Sequence, residues 1–355
     1  MIRVAILGAG IGAEHLAGYR ALPDRFRVTA FCDLDTGRAR AAVGNDDTVR
    51  ILSDMAEILV DDQTDLVDVC LPPHLHAEVA IAAMDAGKHV ICEKPLARSL
   101  GEAAAIGDAV TRSGRHLFPV FQYRYGPALA ALDELVGSGL SGPPVMASLE
   151  THWNRAADYY AVPWRGTWAG EAGGAILGHA IHAHDLLCRY FGPVAKVQAH
   201  LATRVNPIET DDCAAIAMEF RNGALATSSV TLGSARDETR LRLVFRDLTA
   251  TSGTEPYAPA RGPWRFEARD PAHQDRIDAI VASHLAAPTG FAGYLAAIAD
   301  HLDGRDANAV LFADGQTSIE LVTAIYAAAR SGQAVTLPLP PDHPMWQGWV
   351  PEGMT

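Results

Sequence analysis

One lysine in this sequence stands where it could act on a substrate hydroxyl. Lys94 lies in the segment Cys92-Glu93-Lys94-Pro95, directly after an apolar run of strand character. A lysine at the carboxyl end of a strand, partly desolvated and near other charges, can bond a hydroxyl or relay its proton. Pro95 restrains the backbone of Lys94. The alternative is an ordinary ion pair between Lys94 and Glu93 at the end of a strand.

Histidines form the second group with acid–base potential. The pair Gly173-Gly174 leads into a helical pattern in which His179, His182 and Asp185 recur at intervals of three on one face, while His184 points elsewhere. Histidine titrates near neutral pH, so this face suits proton transfer. The spacing is not H-E-x-x-H, and zinc usually needs three or four converging ligands, so we expect no metal here. The alternative is that these histidines only form hydrogen bonds within a packed helix.

An irregular segment before this helix is rich in aromatic and arginine side chains. Between residues 153 and 168, Arg155, Tyr160, Trp164 and Arg165 are of types that stack on sugar rings and bond hydroxyls or carboxylates. The sequence equally allows these side chains to pack a loop without any ligand.

The element that must position a cofactor for such chemistry is at the start of the chain. The apolar run Ile2–Leu7 stops at a glycine and continues into a helical pattern. Gly8 permits a tight turn, Gly10 lets the backbone approach a phosphate, and Gly12 with Ala13 keeps the helix close to the strand, as in G-x-G-x-x-[GA]. The helix N-terminus then offers free N–H groups to a pyrophosphate. In isolation, the same spacing also occurs in glycine-rich surface turns.

Asp33 strengthens the dinucleotide interpretation. A second apolar run, residues 28–32, ends in Asp33 at about the distance expected of the acid that binds the adenosine ribose. Its carboxylate would accept hydrogen bonds from both ribose hydroxyls and repel a 2′-phosphate, and the following Leu34 and Asp35 bring no positive charge. The sequence therefore favours NAD over NADP. The alternative for Asp33 is a helix cap or a turn residue.

Strands and helices alternate over the first 120 residues, which predicts an α/β protein with a parallel, doubly wound sheet. From about residue 121, runs of alternating polar and apolar residues are typical of an antiparallel sheet with one covered face. Asn222-Gly223 between two such runs predicts a hairpin. Ser99 and Glu102 form a capping-box pattern for a helix that runs to about Arg112. We therefore expect two domains, at residues 1–120 and 121–355.

Composition narrows the class of protein. The 355 residues suffice for two domains, and a formal net charge of −13 argues against binding to nucleic acid or to anionic membranes. Cys32, Cys70 and Cys92 sit in strand-like runs, as expected of buried thiols in a reducing compartment. Because strand character starts at residue 2, we expect no signal peptide, and no apolar run approaches the ~20 residues of a membrane span. We expect a cytoplasmic protein.

Four motifs together resemble the Gfo/Idh/MocA oxidoreductases, a family that includes glucose–fructose oxidoreductase and inositol 2-dehydrogenase. The motifs are Gly8-x-Gly10-x-Gly12-x-x-His15, Pro72-Pro73-His74-x-His76, Gly87-Lys88-His89-Val90 leading into Glu93-Lys94-Pro95, and Gly173-Gly174 through His182-x-x-Asp185. The resemblance covers nearly the whole chain.

The resemblance implies an N-terminal Rossmann domain and a C-terminal α+β domain with a large, mostly antiparallel sheet. The open face of that sheet commonly forms subunit contacts, so the C-terminal domain is expected to bind substrate and to join a homodimer or homotetramer. Lys94 and His182 are expected to flank the substrate beside the nicotinamide. Many members carry Asp four residues before the histidine, where this chain has Gly178. Proton transfer must therefore omit that carboxylate or use His179.

The motifs, the side-chain types and the resemblance together predict which residues contact the ligands. Those expected at the cofactor are Gly8, Gly10, Ile11, Gly12, Asp33, Pro73, His76, Glu93 and Lys94. Those expected at the substrate are Lys94, Arg155, Tyr160, Trp164, Arg165, His179 and His182.

The expected activity is NAD-dependent oxidation of a secondary alcohol of a sugar, inositol or related polyol. His182 would take the hydroxyl proton, and Lys94 would position the oxygen. Some relatives instead use NAD in glycoside cleavage without net redox change, and a few keep the cofactor pocket as sensors that regulate partner proteins. Accumulation of NADH separates the dehydrogenase from the glycosidase, whereas NAD binding without turnover of any polyol would favour the sensor.

Overall fold

The computed structural model of the protein describes residues 1–305 and 308–353. The chain divides into two compact units. The first combines Met1–Val120 with Phe291–Ile319, and the second combines Phe121–Gly290 with the chain from Glu320 onward. Each unit is built on its own β-sheet.

The predicted parallel, doubly wound sheet is confirmed in the first unit. Its strands within the described residues are β1 (Ile2–Leu7), β2 (Phe26–Cys32), β3 (Arg50–Leu52), β4 (Leu66–Val69), β5 (His89–Cys92) and β6 (Leu117–Pro119). They pair in parallel in the order β3-β2-β1-β4-β5-β6. The order reverses between β1 and β4, and in sheets of this type ligands bind beyond the carboxyl ends of the strands at that point.

The helices are numbered in chain order through both units. They are α1 (Gly12–Arg20), α2 (Thr36–Val43), α3 (Ala56–Leu59), α4 (Pro73–Asp85), α5 (Leu100–Ser113), α6 (Pro127–Gly137), α7 (Trp168–Glu171), α8 (Ile181–Phe191), α9 (Gln274–Ser283), α10 (Gly290–Leu302) and α11 (Phe312–Ser331). The predicted cap of α5 is confirmed, because the Ser99 hydroxyl accepts a hydrogen bond from the N–H of Glu102 at 3.0 Å. Among the helices of the described residues, none combines the length and the apolar character that a membrane crossing requires.

The second unit holds the predicted, mostly antiparallel sheet. Its strands are β7 (Pro144–Asn154), β8 (Val194–Ala202), β9 (Cys213–Phe220), β10 (Leu225–Thr231), β11 (Gly233–Phe245), β12 (Leu248–Thr251), β13 (Arg265–Ala268) and β14 (Val335–Thr336), in the order β13-β12-β11-β7-β10-β9-β8-β14. β7 and β10 are parallel, and the other neighbours are antiparallel. The hairpin predicted at Asn222-Gly223 joins β9 to β10, with Gly223 at a φ of 86°.

The segment Phe291–Ile319 belongs to the first unit, although the sequence analysis assigned it to the C-terminal domain. α10 is tied to the parallel sheet because the hydroxyl of Tyr294 donates to the carbonyl oxygen of Phe118 at 2.9 Å. Nη2 of Arg25 lies 2.7 Å from Oδ1 of Asp300 in the same helix. These contacts join residues far apart in sequence, so helical periodicity alone could not reveal them.

Candidate active site

The turn between β1 and α1 requires glycine at two positions. Gly8 has a φ of 101°, and a Cβ built on it would lie 2.3 Å from the carbonyl oxygen of Cys70. A Cβ on Gly12 would lie 2.9 Å from Cγ2 of Ile6, so this glycine lets α1 pack closely on β1. A bare main chain that leads into a helix N-terminus suits a pyrophosphate.

Asp33 follows β2 and contacts this glycine turn. Its Oδ2 accepts a hydrogen bond from the N–H of Ala9 at 2.7 Å, and its Oδ1 accepts one from the N–H of Asp35 at 2.8 Å. A carboxylate has about four acceptor sites, so both oxygens can still accept hydrogen bonds from hydroxyl groups. The carboxylate therefore lies beside the turn and is able to bind a ribose.

Arg38 is a cation near the glycine turn that the sequence reasoning missed. A Cβ built on Gly10 would lie 3.9 Å from Nη2 of the exposed Arg38. The signal in the sequence was Asp35, which caps α2 by accepting hydrogen bonds from the N–H groups of Gly37 and Arg38. Because α2 starts at Thr36, its first turn brings the guanidinium, a good phosphate ligand, towards the glycine turn.

Lys94 follows the carboxyl end of β5, two strands from β1 in the sheet. The N–H of Glu93 donates to the carbonyl oxygen of Val69 at 3.0 Å, which continues the pairing with β4 by one residue. The N–H of Lys94 donates to Oε2 of Glu93 at 2.9 Å. The peptide bond between Lys94 and Pro95 is cis. Lys94 therefore stands at the same edge of the sheet as the glycine turn and Asp33.

His76 holds this turn from α4, which begins at Pro73. The ring of His76 is buried, with Nδ1 2.7 Å from the carbonyl oxygen of Pro95 and Nε2 2.8 Å from that of Leu71. A role for His76 at a cofactor would thus act through the main chain of these two residues.

In the second unit, Asp211 anchors the start of the histidine-bearing helix. Its Oδ1 accepts a hydrogen bond from the N–H of Gly174 at 3.2 Å, and its Oδ2 accepts one from the N–H of Ile176 at 3.1 Å. The hydroxyl of Tyr326 donates to Oδ1 at 2.6 Å. Burial raises the pKa of Asp211, although these hydrogen bonds oppose the shift. A Cβ on Gly174 would lie 2.0 Å from the carbonyl oxygen of Asp211, so the glycine permits this close approach.

The helix then opens with a π-helical turn, Ile176–Ala180, before α8 begins. A π-helical turn holds one more residue than an α-helical turn, so α-helical spacing does not describe how His179 is placed relative to His182. The ring of His182 is buried and stacks on Tyr123, with 4.3 Å between centroids and 19° between planes. Phe121 meets the same ring edge-on, with centroids 5.8 Å apart. The aromatic neighbours fix the orientation of the imidazole.

Asp185, predicted on the same helical face as these histidines, has a strong partner outside the helix. Its carboxylate forms a buried, two-bond ion pair with Arg124, with Nε at 2.7 Å from Oδ2 and Nη2 at 2.5 Å from Oδ1. No pattern in the sequence points to this partner, which lies 61 residues away. Asp185 is therefore engaged with a permanent cation.

His179 lies among aromatic side chains. Its Nε2 is 3.4 Å from the hydroxyl oxygen of Tyr159, and its ring meets Trp153 edge-on with centroids 5.2 Å apart. Next to it, a Cβ built on Gly178 would meet no atom of the described residues within 4 Å. Position 178, where the resemblance led us to expect Asp, is therefore open to a side chain.

Arg155 is the centre of this aromatic cluster. Its guanidinium carbon lies 4.9 Å from the ring centroid of Trp153 and 5.1 Å from that of Tyr159. Nη1 is 3.0 Å from Oδ2 of Asp237, and Nη2 donates to the hydroxyl of Tyr257 at 3.1 Å. Arg155 thus organises the cluster by cation–π contacts and an ion pair.

The other three residues predicted at the substrate adjoin this cluster through Tyr159. The guanidinium carbon of Arg165 lies 4.0 Å from the centroid of Tyr159 and 4.8 Å from that of Trp164. Trp164 is 49% exposed. The ring of Tyr160 packs edge-on against Tyr159 with centroids 5.0 Å apart. The structure therefore brings the arginine and aromatic residues of this segment together with His179.

Two domain models of one protein family match consecutive segments of the chain. The first, an oxidoreductase family with an NAD-binding Rossmann fold, matches residues 2–121. The second, the GFO/IDH/MocA C-terminal domain, matches residues 129–251. An inositol 2-dehydrogenase from Paenarthrobacter aurescens is 31% identical over 242 residues, which cover 66% of this chain and 69% of that protein. The chain belongs to the GFO/IDH/MocA oxidoreductase family. The resemblance seen in the motifs is confirmed.

Other GFO/IDH/MocA relatives are less similar or match in part. Levoglucosan dehydrogenase from Pseudarthrobacter phenanthrenivorans is 29% identical over 269 residues, which cover 65% of this chain and 67% of that protein. Uncharacterized oxidoreductases from Schizosaccharomyces pombe and Synechocystis are matched over 60% and 65% of their own lengths. The chain thus spans two thirds or less of some curated relatives.

Solved structures of two dehydrogenases match the chain almost end to end. The WlbA dehydrogenase from Bordetella pertussis, solved with NADH and UDP-GlcNAcA, has a TM-score of 0.83 at 28% identity and covers 96% of this chain and 99% of that one. A levoglucosan dehydrogenase solved with NADH has a TM-score of 0.76 at 24% identity and shares the fold. The predicted fold class is confirmed in both units.

Proposed function

We propose that this member of the GFO/IDH/MocA family is an NAD-dependent dehydrogenase that oxidises a secondary alcohol of a sugar, inositol or related polyol. The observation that carries the proposal is the position of Lys94 at the same sheet edge as the glycine turn and Asp33. A lysine there can act on a substrate hydroxyl that a cofactor at that edge would reach. The matched inositol and levoglucosan dehydrogenases support the substrate class.

The residues at the sheet edge fit NAD. The bare turn at Gly8, Gly10, Ile11 and Gly12 would hold the pyrophosphate, and Asp33 would bind the adenosine ribose. Pro73, His76, Glu93 and Lys94 would border the nicotinamide half, with His76 and Glu93 acting partly through the main chain. The chemistry that NAD supplies when bound is acceptance of a hydride from the carbon that carries the hydroxyl.

Side chains of the protein would orient the substrate hydroxyl and transfer its proton. Lys94 would donate a hydrogen bond to the substrate oxygen and so orient it. The imidazole of His182, fixed by Tyr123, would accept the hydroxyl proton as general base. His179 would replace the absent carboxylate at Gly178 as the group that passes this proton on, with Tyr159 within 3.4 Å. Arg155, Tyr160, Trp164 and Arg165 would recognise the remaining hydroxyl or acidic groups of the substrate.

The first experiment is a panel of sugars, inositols and other polyols with NAD, followed by the absorbance of NADH. We expect net NADH with at least one polyol, and we expect Lys94→Ala and His182→Ala to lower kcat by about 10²–10⁴-fold with little change in NAD binding. Lys196→Ala, an exposed lysine, and His184→Gln, a buried histidine two residues from His182, serve as matched controls. Full turnover in both site variants would refute the assigned roles, and sugar cleavage without NADH would favour the glycosidase.

The choice between NAD and NADP depends on two opposite charges near the glycine turn. Asp33 would repel a 2′-phosphate, whereas the exposed Arg38 would attract it. We propose that Asp33 prevails because it lies where the ribose hydroxyls bind. Asp33→Ser is expected to shift the NAD/NADP ratio of kcat/KM by about tenfold or more towards NADP, equivalent to ~1.4 kcal/mol. Adding Arg38→Ala to Asp33→Ser should reverse part of that shift. An NAD/NADP ratio of kcat/KM that Asp33→Ser leaves unchanged would contradict the role assigned to Asp33.

We also propose that the outer face of the second sheet joins subunits into a homodimer or homotetramer. Met146 and Leu225, paired across β7 and β10, are 39% and 50% exposed. Light scattering after size exclusion should give a multiple of 37.8 kDa, and Leu225→Glu should lower it. A monomer in the unmodified protein would rule the proposal out.

A further inference from the structure

A buried polar cluster in the first unit surrounds His15, a residue to which the proposed chemistry gives no part. His15 lies in α1, directly after the glycine turn, and its side chain is 1% exposed. Around it stand four ionisable residues from three elements: Tyr19 of α1, Asp68 of β4, Cys70 just after β4, and Glu93 just after β5. On its remaining side, the ring of Phe291 lies 4.4 Å away between centroids. The cluster therefore links the helix of the glycine turn to the turn that carries Lys94.

Both nitrogens of His15 face carboxylates. Nδ1 lies 2.8 Å from Oδ2 of Asp68, and Nε2 lies 3.1 Å from Oε1 of Glu93. Ionised carboxylates only accept hydrogen bonds, so the ring can satisfy both only when both nitrogens carry protons. A neutral imidazole would leave one carboxylate facing a nitrogen lone pair in a site that water does not reach.

The rest of the cluster is consistent with a charged ring. The hydroxyl of Tyr19 donates to Oδ2 of Asp68 at 2.9 Å, and Sγ of Cys70 lies 3.4 Å from Oδ1 of Asp68. Burial raises the pKa of both Tyr19 and Cys70, so these two groups stay neutral donors. Burial by itself would lower the pKa of His15, but the interactions with Asp68 and Cys70 together outweigh it, and the pKa stands well above its ordinary value.

The consequence reaches Lys94 through Glu93. One oxygen of Glu93 lies at the imidazole, and the other accepts the N–H of Lys94 at 2.9 Å. The carboxylate of Glu93 is buried, and a hydrogen bond holds each of its two oxygens. Without the imidazolium, Asp68 and Glu93 would be like charges in a site of low polarity, and Glu93 would gain by turning towards water.

We propose that His15 is a positioning residue for Lys94: as an imidazolium between Asp68 and Glu93, it holds Glu93 so that its second oxygen fixes the main chain of Lys94. The proposal rests on the proposed function only in giving Lys94 its role at the substrate. The contact geometry and the charge of His15 can be tested without any substrate.

The charge is tested by nuclear magnetic resonance on the full-length protein labelled with ¹⁵N in the histidine rings. The His15 signals are assigned by their loss in His15→Gln. We expect both ring nitrogens to be protonated and not to titrate between about pH 6 and pH 9, on either side of the ordinary histidine pKa of about 6.5. A neutral ring at the upper pH would overturn the proposal. So would a divalent metal that copurifies with the unmodified protein and is lost in His15→Gln.

The positioning is tested on the lysines, of which the chain has three: Lys88, Lys94 and Lys196. In protein labelled with ¹⁵N-lysine, His15→Gln and Asp68→Asn should each shift and broaden the amide signal of Lys94. The signals of Lys88 and Lys196 should not move, and the buried-histidine control His184→Gln should leave Lys94 unchanged. An unchanged Lys94 signal in both cluster variants would overturn the proposal. Asp68→Asn keeps the shape of the site, so it serves if His15→Gln does not fold.

The kinetic test separates this proposal from the proposed function. With the polyol found active in the panel, His15→Gln should lower kcat by about 10- to 100-fold, the scale of a misplaced catalytic group, with the NAD Kd changed less than about threefold. In Asp68→Asn the His15 pKa should fall, so kcat should acquire a new decline as pH rises through it. An Asp68→Asn profile identical to that of the unmodified protein would refute the role in positioning. If instead the spectra behave as expected but Lys94→Ala keeps full turnover, the proposed function fails and the His15 contact stands.

Discussion

One buried histidine of each unit, His15 in the first and His184 in the second, has neighbours of the opposite kind. In the first unit, His15 has the carboxylate of Asp68 at one ring nitrogen and that of Glu93 at the other. In the second, His184 has the hydroxyl of Ser228, with Nε2 3.0 Å from the oxygen. Both rings are almost fully buried, so burial does not distinguish them. The neighbouring acids decide whether a buried histidine carries charge.

The second unit has buried acids as well, and they make strong contacts of other kinds. Asp185 pairs with Arg124, and Asp211 binds main-chain N–H groups and Tyr326. The comparison teaches that the position of an acid in a helix does not reveal a partner that is distant in sequence.

The largest expected effect comes from removing the carboxylate of Asp185 in the second unit. Asp185→Ala leaves the Arg124 guanidinium buried without its carboxylate, and we expect a loss of about 3–5 kcal/mol in the free energy of unfolding. Urea unfolding measures this value. Asp85→Ala is the control, because Asp85 forms the same kind of two-bond pair with Arg112 on the surface, worth about 0–1 kcal/mol. Equal losses in the two variants would show that Asp185 is not needed to compensate Arg124.

The next effect is on the pH dependence of stability, with opposite signs for His184 and His15. Burial lowers the pKa of His184 to about 4, below its unfolded value of about 6.5. The unfolded chain therefore binds the proton first, and stability is lost as pH falls through this window, by roughly 3 kcal/mol at most. His15, whose pKa is raised, contributes stability that is present below about pH 6.5 and lost only as pH rises through its folded pKa.

Urea unfolding at a series of pH values checks this contrast. His184→Gln should flatten the acid side of the stability profile relative to the unmodified protein. The stability profile of His15→Gln should keep the same slope on the acid side as that of the unmodified protein. A profile that is identical with and without His184 would contradict the lowered pKa.

The smallest expected effect comes from placing at position 178 of the second unit the aspartate that the family resemblance led us to expect. Gly178→Asp places a Cβ where no atom of the described residues lies within 4 Å, so the free energy of unfolding should change by about 0.5 kcal/mol or less. If His179 passes on the proton, Gly178→Asp should restore most of the activity lost in His179→Ala, a loss of about 10²-fold or more in kcat. Equal activity of His179→Ala with and without the new carboxylate would argue against His179 as the substitute.

The sequence predicted the first unit well because its site follows the ends of strands. Gly8, Asp33 and Lys94 each come directly or almost directly after a buried strand, so the edge they share follows from the parallel order alone. Arg38 was missed because its approach to the turn depends on where α2 begins. The partners of His15 were out of reach for a different reason, since they lie 53 and 78 residues away.

The second unit was predicted in outline and not in its contacts. The hairpin at Asn222-Gly223 follows from local turn chemistry and was confirmed. The π-helical turn 176–180 starts where Asp211 binds the N–H groups of Gly174 and Ile176, and no periodicity in the helix signals it. The pairing of Asp185 with Arg124 likewise depends on tertiary packing.

The return of Phe291–Ile319 to the first unit has a consequence for how the protein is made. The ring of Phe291 packs on His15, and a Cβ on Gly18 would lie 3.1 Å from Leu295, so α10 covers part of α1. The ribosome has to add about 200 residues between Val120 and Ile319 before this cover is complete, roughly 10–40 s at about 5–20 residues per second. During that time the part of α1 that α10 later covers is exposed, and a chaperone can bind the nascent chain there.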